Sequence, residues 1–487
     1  MSIKKKGAKG SLWSSATRMT VSILDFAVYA YLARILPLDV FGFLGVGLLV
    51  VEFVNALVNA GINQNLIQRE KWEGSYVSST FSLILITCLS FSILIGLIAG
   101  PLAYFLYSPL TGWILFSLAG IPILGGLEIV FKAKLQRDFK NKKLSQIYVV
   151  ASLISSCLTL VLAFLGWGVW SIIVGKYVNS LLKIILLYNS SGVQIKFGID
   201  KKHIHELWIF IKPMVGAAVL TFFNDKTTNM LTAAVLGPAS FAILNVAKKA
   251  NRIVADSTIS PINSMMVPMF SRIADSSAIS SLYIRLVTVS TFIIMPIFMG
   301  LAAIADPFVT IAFGDKFAES ANYMTIMSFT MFPAILSWYL PNLLVAKAKT
   351  NVAFKLTLIS LLANVLVSAL TIWFGISIML ISIVVVNFLL LPLRFKIVNY
   401  YVEVNLKKLL SSIIPQYLCA ILMFLSVYLI KVELRLYINN EMLLLLVLVL
   451  IGGVLYPLYN VILFRKHALH VVNEVKDIFL SRKKSPV

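Results

Sequence analysis

The sequence predicts an all-α integral membrane protein with about fourteen transmembrane helices. Of its 487 residues, 59% are hydrophobic and only 13% are charged, and the mean hydropathy is +0.92. A soluble domain cannot bury so much apolar surface. Apolar runs of about 20 residues, the length that crosses a bilayer as a helix, recur from residue 11 to residue 464. The alternating segments of roughly ten residues that are typical of membrane β-strands are not found in this sequence.

The order of the apolar runs defines the predicted spans. They are 11–34, 40–60, 77–100, 111–131, 147–166, 168–188, 208–235, 240–268, 283–305, 322–345, 352–374, 376–397, 409–430 and 442–464.

The loops between these spans differ strongly in charge. Most of the 42 Lys and Arg residues lie in alternate loops and in the two terminal segments, whereas the opposite loops hold only Lys316, Lys431 and Arg435. Basic loops face the cytoplasm, so an even number of spans places both termini there. The net charge of +22 is thereby explained by topology and by contact with anionic lipid, and no nucleic-acid partner is expected.

An internal repeat relates residues 25–63 to residues 225–263. Asp25 and Asp225 each stand in the first span of a set, ahead of a Leu, a Pro-containing turn and a Phe. Six spans separate the copies, so both have the same orientation. A parallel repeat of this kind is typical of transporters with two bundles. We therefore predict six-helix bundles over 1–195 and 196–405, two extra helices over 406–465, and a cytoplasmic amphipathic tail over 466–487.

Span 8 carries charges in the middle of the predicted membrane. Lys248, Lys249, Arg252 and Asp256 fall on one face of a helix. Each charge costs roughly 2.5–3.5 kcal/mol if it faces lipid, so this face must meet water, a ligand or counter-charges.

Spans 1, 2 and 7 hold further charges, and we expect these helices to line a hydrated cavity. An alternative is that the charges pair with one another as internal struts. Both interpretations can hold for different residues: Glu52 and Arg252 could form a gate pair while Lys248 and Lys249 meet substrate. Spans 7 and 8 carry a positive surplus, which favours an anionic ligand. The candidate cavity residues are Arg18, Asp25, Glu52, Asp225, Lys226, Lys248, Lys249, Arg252 and Asp256.

The sequence lacks the motifs of several other classes. It has no phosphate-binding loop, and its four His residues all lie in predicted cytoplasmic segments. We therefore expect no enzymatic activity, no metal site and no cofactor. A coupling ion, H⁺ or Na⁺, is left open.

The segment over residues 31–70 resembles the start of the Wzx-like polysaccharide transporter family. This family of oligosaccharide flippases belongs to the multidrug, oligosaccharidyl-lipid and polysaccharide exporter superfamily. The matching stretches are Ala-Arg-Ile-Leu at 33–36, Pro37, Phe-Gly at 41–42 and Leu-Ile-Gln-Arg at 66–69. Residues 224–247 look similar to the corresponding part of the second half.

The resemblance implies a fold and a function. The fold is that of MATE and MurJ-like transporters, with two six-helix bundles and two further helices. The function is the movement of an undecaprenyl-pyrophosphate-linked oligosaccharide, the repeat unit of O-antigen, exopolysaccharide or capsule, from the inner to the outer leaflet of the bacterial cytoplasmic membrane by alternating access. Expected partners are this substrate, membrane lipids, and polysaccharide polymerase or assembly proteins. The paired Lys248 and Lys249 suggest an acidic sugar.

Two other interpretations compete with a flippase. A cation-coupled drug antiporter of the same superfamily would favour an acidic cavity, whereas the nine candidate charges here sum to +1. A membrane-embedded polysaccharide polymerase or acyltransferase is disfavoured by the absence of intramembrane His and by short outer loops.

Overall fold

The computed structural model describes residues 3–259, 270, 276–347 and 349–480. The regular structure of these residues is helical throughout, without a strand, which confirms the all-α prediction. Within them, twelve continuous helical stretches are long and apolar enough to cross a membrane. One of these, Lys201–Ala255, has 55 residues. This is more residues than one crossing needs, and the stretch holds predicted span 7 and the first part of predicted span 8, residues 240–255.

The described chain divides into two compact units, Met1–Ala242 and Ile243–Val487. Helix α11 begins in the first and ends in the second. The first unit contains α1 (Ile3–Ile35), α2 (Leu38–Asn59), α3 (Ile62–Gln68), α4 (Gly74–Leu94), α5 (Gly100–Leu106), α6 (Pro109–Leu118), α7 (Ile121–Arg137), α8 (Asn141–Phe164), α9 (Val169–Ser191), α10 (Lys201–Leu231) and the start of α11 (Gly237–Thr258).

The second unit continues from α11 to the C-terminal helix. It contains α12 (Ser276–Ala303), α13 (Ala305–Phe313), α14 (Glu319–Phe329), α15 (Met331–Ser337), α16 (Leu340–Ala346), α17 (Thr350–Thr371), α18 (Ile376–Asn399), α19 (Leu406–Leu434) and α20 (Glu441–Leu480). Helices α19 and α20 pack against α12, and their buried side chains belong to the core of this unit. The predicted domain boundaries at 195, 405 and 465 stay predictions.

Several predicted spans are broken into shorter helices. Span 4 consists of α6 and α7, and span 10 consists of α14, α15 and α16. A proline lies in the first turn of the later segments, as with Pro122, Pro333 and Pro341. Proline lacks a backbone N–H and crowds the preceding turn, so it ends one helix and starts the next.

The C-terminal helix α20 is kinked at the predicted end of span 14. The backbone angles of Phe464 (φ −138°, ψ 43°) are not helical and interrupt α20, so the helix is kinked there. Predicted span 14 ends at residue 464, and the segment after the kink carries the predicted tail. The end of span 8, residues 260–268, and residues 481–487 of the tail lie outside the described residues.

Helix α8 shows how a spanning helix divides its faces. Leu153, Ile154 and Cys157 are exposed on one side, where an apolar surface suits lipid. Ser155 and Thr159 are buried on the other side. Small and hydroxyl-bearing residues let neighbouring helices approach closely in membranes, and α8 packs on α1 and α9 through this face.

Candidate functional site

Two of the predicted cavity residues form an ion pair in the first unit. Lys226 Nζ on α10 lies 2.6 Å from Glu52 Oε2 on α2. The Lys226 side chain is 19% exposed and that of Glu52 is 53% exposed, so the lysine is the more enclosed partner. The same two helices also meet through aromatic rings, since the ring centres of Phe53 on α2 and Phe222 on α10 are 5.0 Å apart. Lys226 is thus neutralised by a carboxylate within its own unit.

The neighbouring residues of α10 present polar atoms as well. Asn224 Nδ2 donates a hydrogen bond to Asp225 Oδ1 at 3.3 Å, and Asp225 is exposed. The buried Asn224 Oδ1 atom has no hydrogen-bond partner among the described residues. An unsatisfied buried acceptor of this kind is costly, so this turn of α10 is suited to receive a hydrogen-bond donor.

Asp25 on α1 belongs to a second charged group. Its charge interacts with that of Lys183 on α9, as does the charge of Glu128 on α7. The Tyr148 hydroxyl donates to Glu128 Oε1 at 3.2 Å, and Lys183 Nζ lies 4.9 Å from the centre of the Tyr148 ring. Sequence reasoning did not include Glu128 and Lys183 in the site. The sequence does mark both as candidates, because they are ionisable residues inside predicted spans.

The basic residues of α11 lie on the less buried side of that helix. Lys248 and Lys249 are partly exposed and Arg252 is exposed. On the buried side, Asn251 donates to the Met324 carbonyl at 3.3 Å and accepts a hydrogen bond from Ser328 at 3.1 Å. These hydrogen bonds fix the buried side of α11 against α14.

Not every predicted site residue is placed by the structure. The side chains of Arg18 and Asp256 lie outside the described residues. The gate pair of Glu52 with Arg252 and the substrate roles of the nine candidates stay predictions. Within the described chain, no group of three or more His, Cys, Asp or Glu side chains is arranged to hold a metal ion.

The Leu-Ile-Gln-Arg stretch at 66–69 attaches the loop after α3 to neighbouring helices. The Arg69 guanidinium carbon lies 3.6 Å from the centre of the Tyr76 ring, and Arg69 Nη1 lies 3.1 Å from Glu206 Oε2 on α10. Burial acts to lower the pKa of Arg69, but the contacts with Glu206, Tyr76 and Glu73 outweigh it and raise that pKa. Arg137 on α7 donates to the Glu70 carbonyl at 2.7 Å. This stretch therefore has a structural role, joining the loop to α7 and α10.

The Phe-Gly pair at 41–42 has a packing role in the same unit. A Cβ atom on Gly42 would lie 2.0 Å from the carbonyl oxygen of Pro238, and one on Gly45 would lie 2.4 Å from Cε1 of Phe241. Helix α2 and the start of α11 thus approach so closely that only glycine fits at these two positions. Gly237, with φ +84°, provides the sharp turn before Pro238.

A sequence model of the family described as polysaccharide biosynthesis protein matches residues 31–322, which is more than half of the chain. The chain belongs to the polysaccharide biosynthesis protein family. The glycine contacts of α2 and the contacts of Arg69 all fall within the matched region. The family membership confirms the resemblance inferred from residues 31–70.

Proteins similar to this chain carry names from polysaccharide biosynthesis and transport. The succinoglycan biosynthesis transport protein ExoT of Rhizobium meliloti (strain 1021) is 26% identical over 309 residues, which are 63% of this chain and 62% of ExoT. The lipopolysaccharide biosynthesis protein WzxC of Escherichia coli (strain K12) is 24% identical over 73% of both chains. The teichuronic acid biosynthesis protein TuaB of Bacillus subtilis (strain 168) is 21% identical over 72% of this chain and 74% of TuaB.

Solved structures share the fold of this family member. The lipid II flippase MurJ in an inward closed conformation matches with a TM-score of 0.76, covering 93% of this chain and 99% of MurJ at 14% identity. An inward-facing multidrug resistance transporter of the MATE family matches with a TM-score of 0.61 at 10% identity, covering 83% of this chain and 95% of the transporter. These matches confirm the predicted MATE and MurJ-like fold of a multi-pass membrane protein.

Proposed function

We propose that this chain moves an undecaprenyl-pyrophosphate-linked oligosaccharide from the inner to the outer leaflet of the bacterial cytoplasmic membrane by alternating access. Membership of the polysaccharide biosynthesis protein family supports a role in polysaccharide export. One observation favours an anionic, lipid-linked cargo above all. Lys248, Lys249 and Arg252 lie together on the less buried side of α11.

The three cations suit a pyrophosphate group. Arginine offers a planar fork of donors to phosphate oxygens, and lysine offers a mobile point charge. Charged side chains inside membrane spans are costly, so they are expected where they meet a ligand or counter-charge. In this proposal Lys248, Lys249 and Arg252 bind the pyrophosphate, and the ion pair of Glu52 with Lys226 joins α2 to α10 within the first unit.

The acidic residues have a separate role in the proposal. Asp25, exposed on α1, and Asp225, exposed on α10, can each take up a coupling cation, H⁺ or Na⁺. Both termini lie in the cytoplasm, where the basic loops place them. The chain catalyses no covalent step, and a polysaccharide polymerase or assembly protein receives the flipped unit.

The test is deletion of the gene in its host with mass spectrometry of lipid-linked saccharides. Accumulation of a complete undecaprenyl-pyrophosphate glycan with loss of surface polysaccharide is the expected result. Complementation then compares the Lys248→Gln/Lys249→Gln double variant with Lys201→Gln, whose lysine is exposed at the start of α10. We expect the double variant to lose at least about tenfold in surface polysaccharide. Normal saccharide pools with new sensitivity to cationic dyes would instead identify a drug antiporter.

A further inference from the structure

The second unit contains a cavity of about 630 Å³. None of the cations of α11 lines it. Its walls come from the first part of α12, the first two turns of α19 and the segment of α20 that follows the kink at Phe464. We call it the α12–α19–α20 cavity. None of its residues is among the candidate cavity residues that the sequence predicts.

The charges that line this cavity have a positive surplus. Arg285 on α12 and Lys408 on α19 are permanent cations, and Glu474 on α20 is the carboxylate that faces them. Glu474 Oε1 lies 3.6 Å from Arg285 Nε and 3.5 Å from His470 Nε2. Glu474 thus contacts both groups, and an anion that binds Arg285 must compete with this carboxylate.

Hydroxyl groups and a fixed histidine complete the walls. The hydroxyls of Thr288 and Ser412 lie 2.9 Å apart, and Ser281 also lines the cavity. His467 makes two contacts with α19. Its Nε2 lies 3.3 Å from Gln416 Nε2, and its ring forms a hydrogen bond with the backbone of Ser412. The segment after the kink is therefore attached to α19, and side-chain contacts between the two helices define the walls of the cavity.

The surroundings of the cavity combine charge with exposed apolar surface. Lys466 is exposed just after the kink, whereas Leu410 and Leu469 are exposed apolar residues on the two helices that form the walls. The loop charges predict that this end of the helices faces the cytoplasm. Basic pockets between helices at that interface bind anionic lipid headgroups, with acyl chains lying on the apolar surface beside them.

We propose that the α12–α19–α20 cavity binds a phosphate group, as carried by an anionic lipid headgroup or by free phosphate. Arg285 and Lys408 make the charged contacts, the Ser281 hydroxyl adds a donor, and the bound anion displaces Glu474 from Arg285. Occupancy holds the C-terminal segment of α20 against α12 and α19. This site does not depend on the cargo proposed above, because none of its residues is among the proposed cargo ligands.

The experiment uses the purified full-length protein in detergent and native mass spectrometry. Phosphatidylglycerol is titrated against phosphatidylcholine of the same acyl chains, and inorganic phosphate is titrated separately. The variants are Lys408→Gln and Arg285→Gln, and the matched control is Lys407→Gln, an adjacent exposed lysine that does not line the cavity. We expect tighter binding of phosphatidylglycerol than of phosphatidylcholine, and a loss of about tenfold in affinity for Lys408→Gln but not for Lys407→Gln.

Each outcome decides the proposal. If millimolar inorganic phosphate competes with phosphatidylglycerol, and Lys408→Gln loses this competition, free phosphate is a ligand of the cavity. If phosphate does not compete, the ligand is the lipid headgroup. Equal binding of the two lipids would overturn the proposal. Equal losses in Lys407→Gln and Lys408→Gln would also overturn it, because a diffuse basic surface would then explain the binding. If Arg285→Gln does not fold, Lys408→Gln decides alone.

Discussion

Lys226 and Glu52 are joined at 2.6 Å, and their contact ties α10 to α2 in the first unit. The two residues are 174 positions apart in the chain. The pair brings together two of the predicted cavity residues, and it lets the strut and ligand hypotheses be separated by experiment.

We predict that the charge-swapped variant Glu52→Lys/Lys226→Glu recovers most of the thermal stability that either single swap loses. The pair is partly exposed, so its coupling free energy is about 0.5–1 kcal/mol. A double-mutant cycle of Tm in detergent measures this coupling, with Asp225→Asn as a neighbouring control. If the swapped variant is stable but fails to restore surface polysaccharide, the two residues also contact cargo. No recovery of stability would contradict the strut role.

We predict that Gly42→Ala destabilises the protein by about 1–3 kcal/mol, because its Cβ would press on the Pro238 backbone. The matched control is Gly216→Ala, a helical glycine on α10 with no atom within 4 Å of an added Cβ. That change is expected to stabilise slightly, since alanine loses less backbone entropy. Fluorescence-detected size-exclusion chromatography after heating compares the two. Equal Tm values for both variants would be inconsistent with the close helix approach.

We predict that Arg69→Lys lowers Tm although it keeps the charge. Lysine cannot stack flat on the Tyr76 ring while pairing with Glu206, so the loop loses its attachment to α10. Lys71→Arg is the control in the same loop, because Lys71 is exposed. A Tm for Arg69→Lys equal to that of the wild type would show that charge alone is sufficient.

We predict that Asp306→Ala is more destabilising than Lys431→Met. The Lys431 side chain is 3% exposed, and its Nζ lies 2.5 Å from Asp306 Oδ2. Removal of the carboxylate leaves a buried ammonium group at a cost of about 3 kcal/mol, whereas methionine removes that charge as well. The double variant should therefore be as stable as Lys431→Met in a thermal-shift assay. A double variant as unstable as Asp306→Ala would refute this explanation.

We predict that both chain termini lie in the cytoplasm. A fluorescent protein fused after residue 487 should fluoresce, and alkaline phosphatase inserted after Lys316 should be active, because that loop is predicted to lie outside. The reverse pattern of activities would require an odd number of spans or the opposite orientation. Expression of each fusion is measured by immunoblot, so that a missing signal is not mistaken for a topology.

Hydropathy predicts the spans of this protein because burial in lipid is a local property of about 20 consecutive residues. The kink at Phe464 coincides with the predicted end of span 14, where a basic segment follows an apolar one. Breaks such as the one before Pro333 depend on a single backbone N–H, so hydropathy averaged over a span does not reveal them.

Partners inside the membrane are less predictable than spans. The charges in α2 and α10 identify Glu52 and Lys226 as candidates, yet only tertiary packing decides which cation faces which carboxylate. The partner of Lys431 is equally hard to predict. Its position in the sequence suggests an outer loop, whereas in the structure it lies buried near the end of α19, beside Asp306 of α13. Pairing across more than a hundred residues is set by the fold rather than by local pattern.

The two faces of α8 have a practical consequence for spectroscopy. The chain has three cysteines; Cys88 and Cys419 are enclosed by packing, whereas Cys157 points outward among lipid-facing side chains. A thiol-reactive dye that partitions into micelles should therefore attach at one place in the unmodified sequence, and a charged, water-soluble reagent should react far more slowly. The native protein thus offers a single-label background, onto which a second cysteine can be engineered for distance measurements between chosen helices.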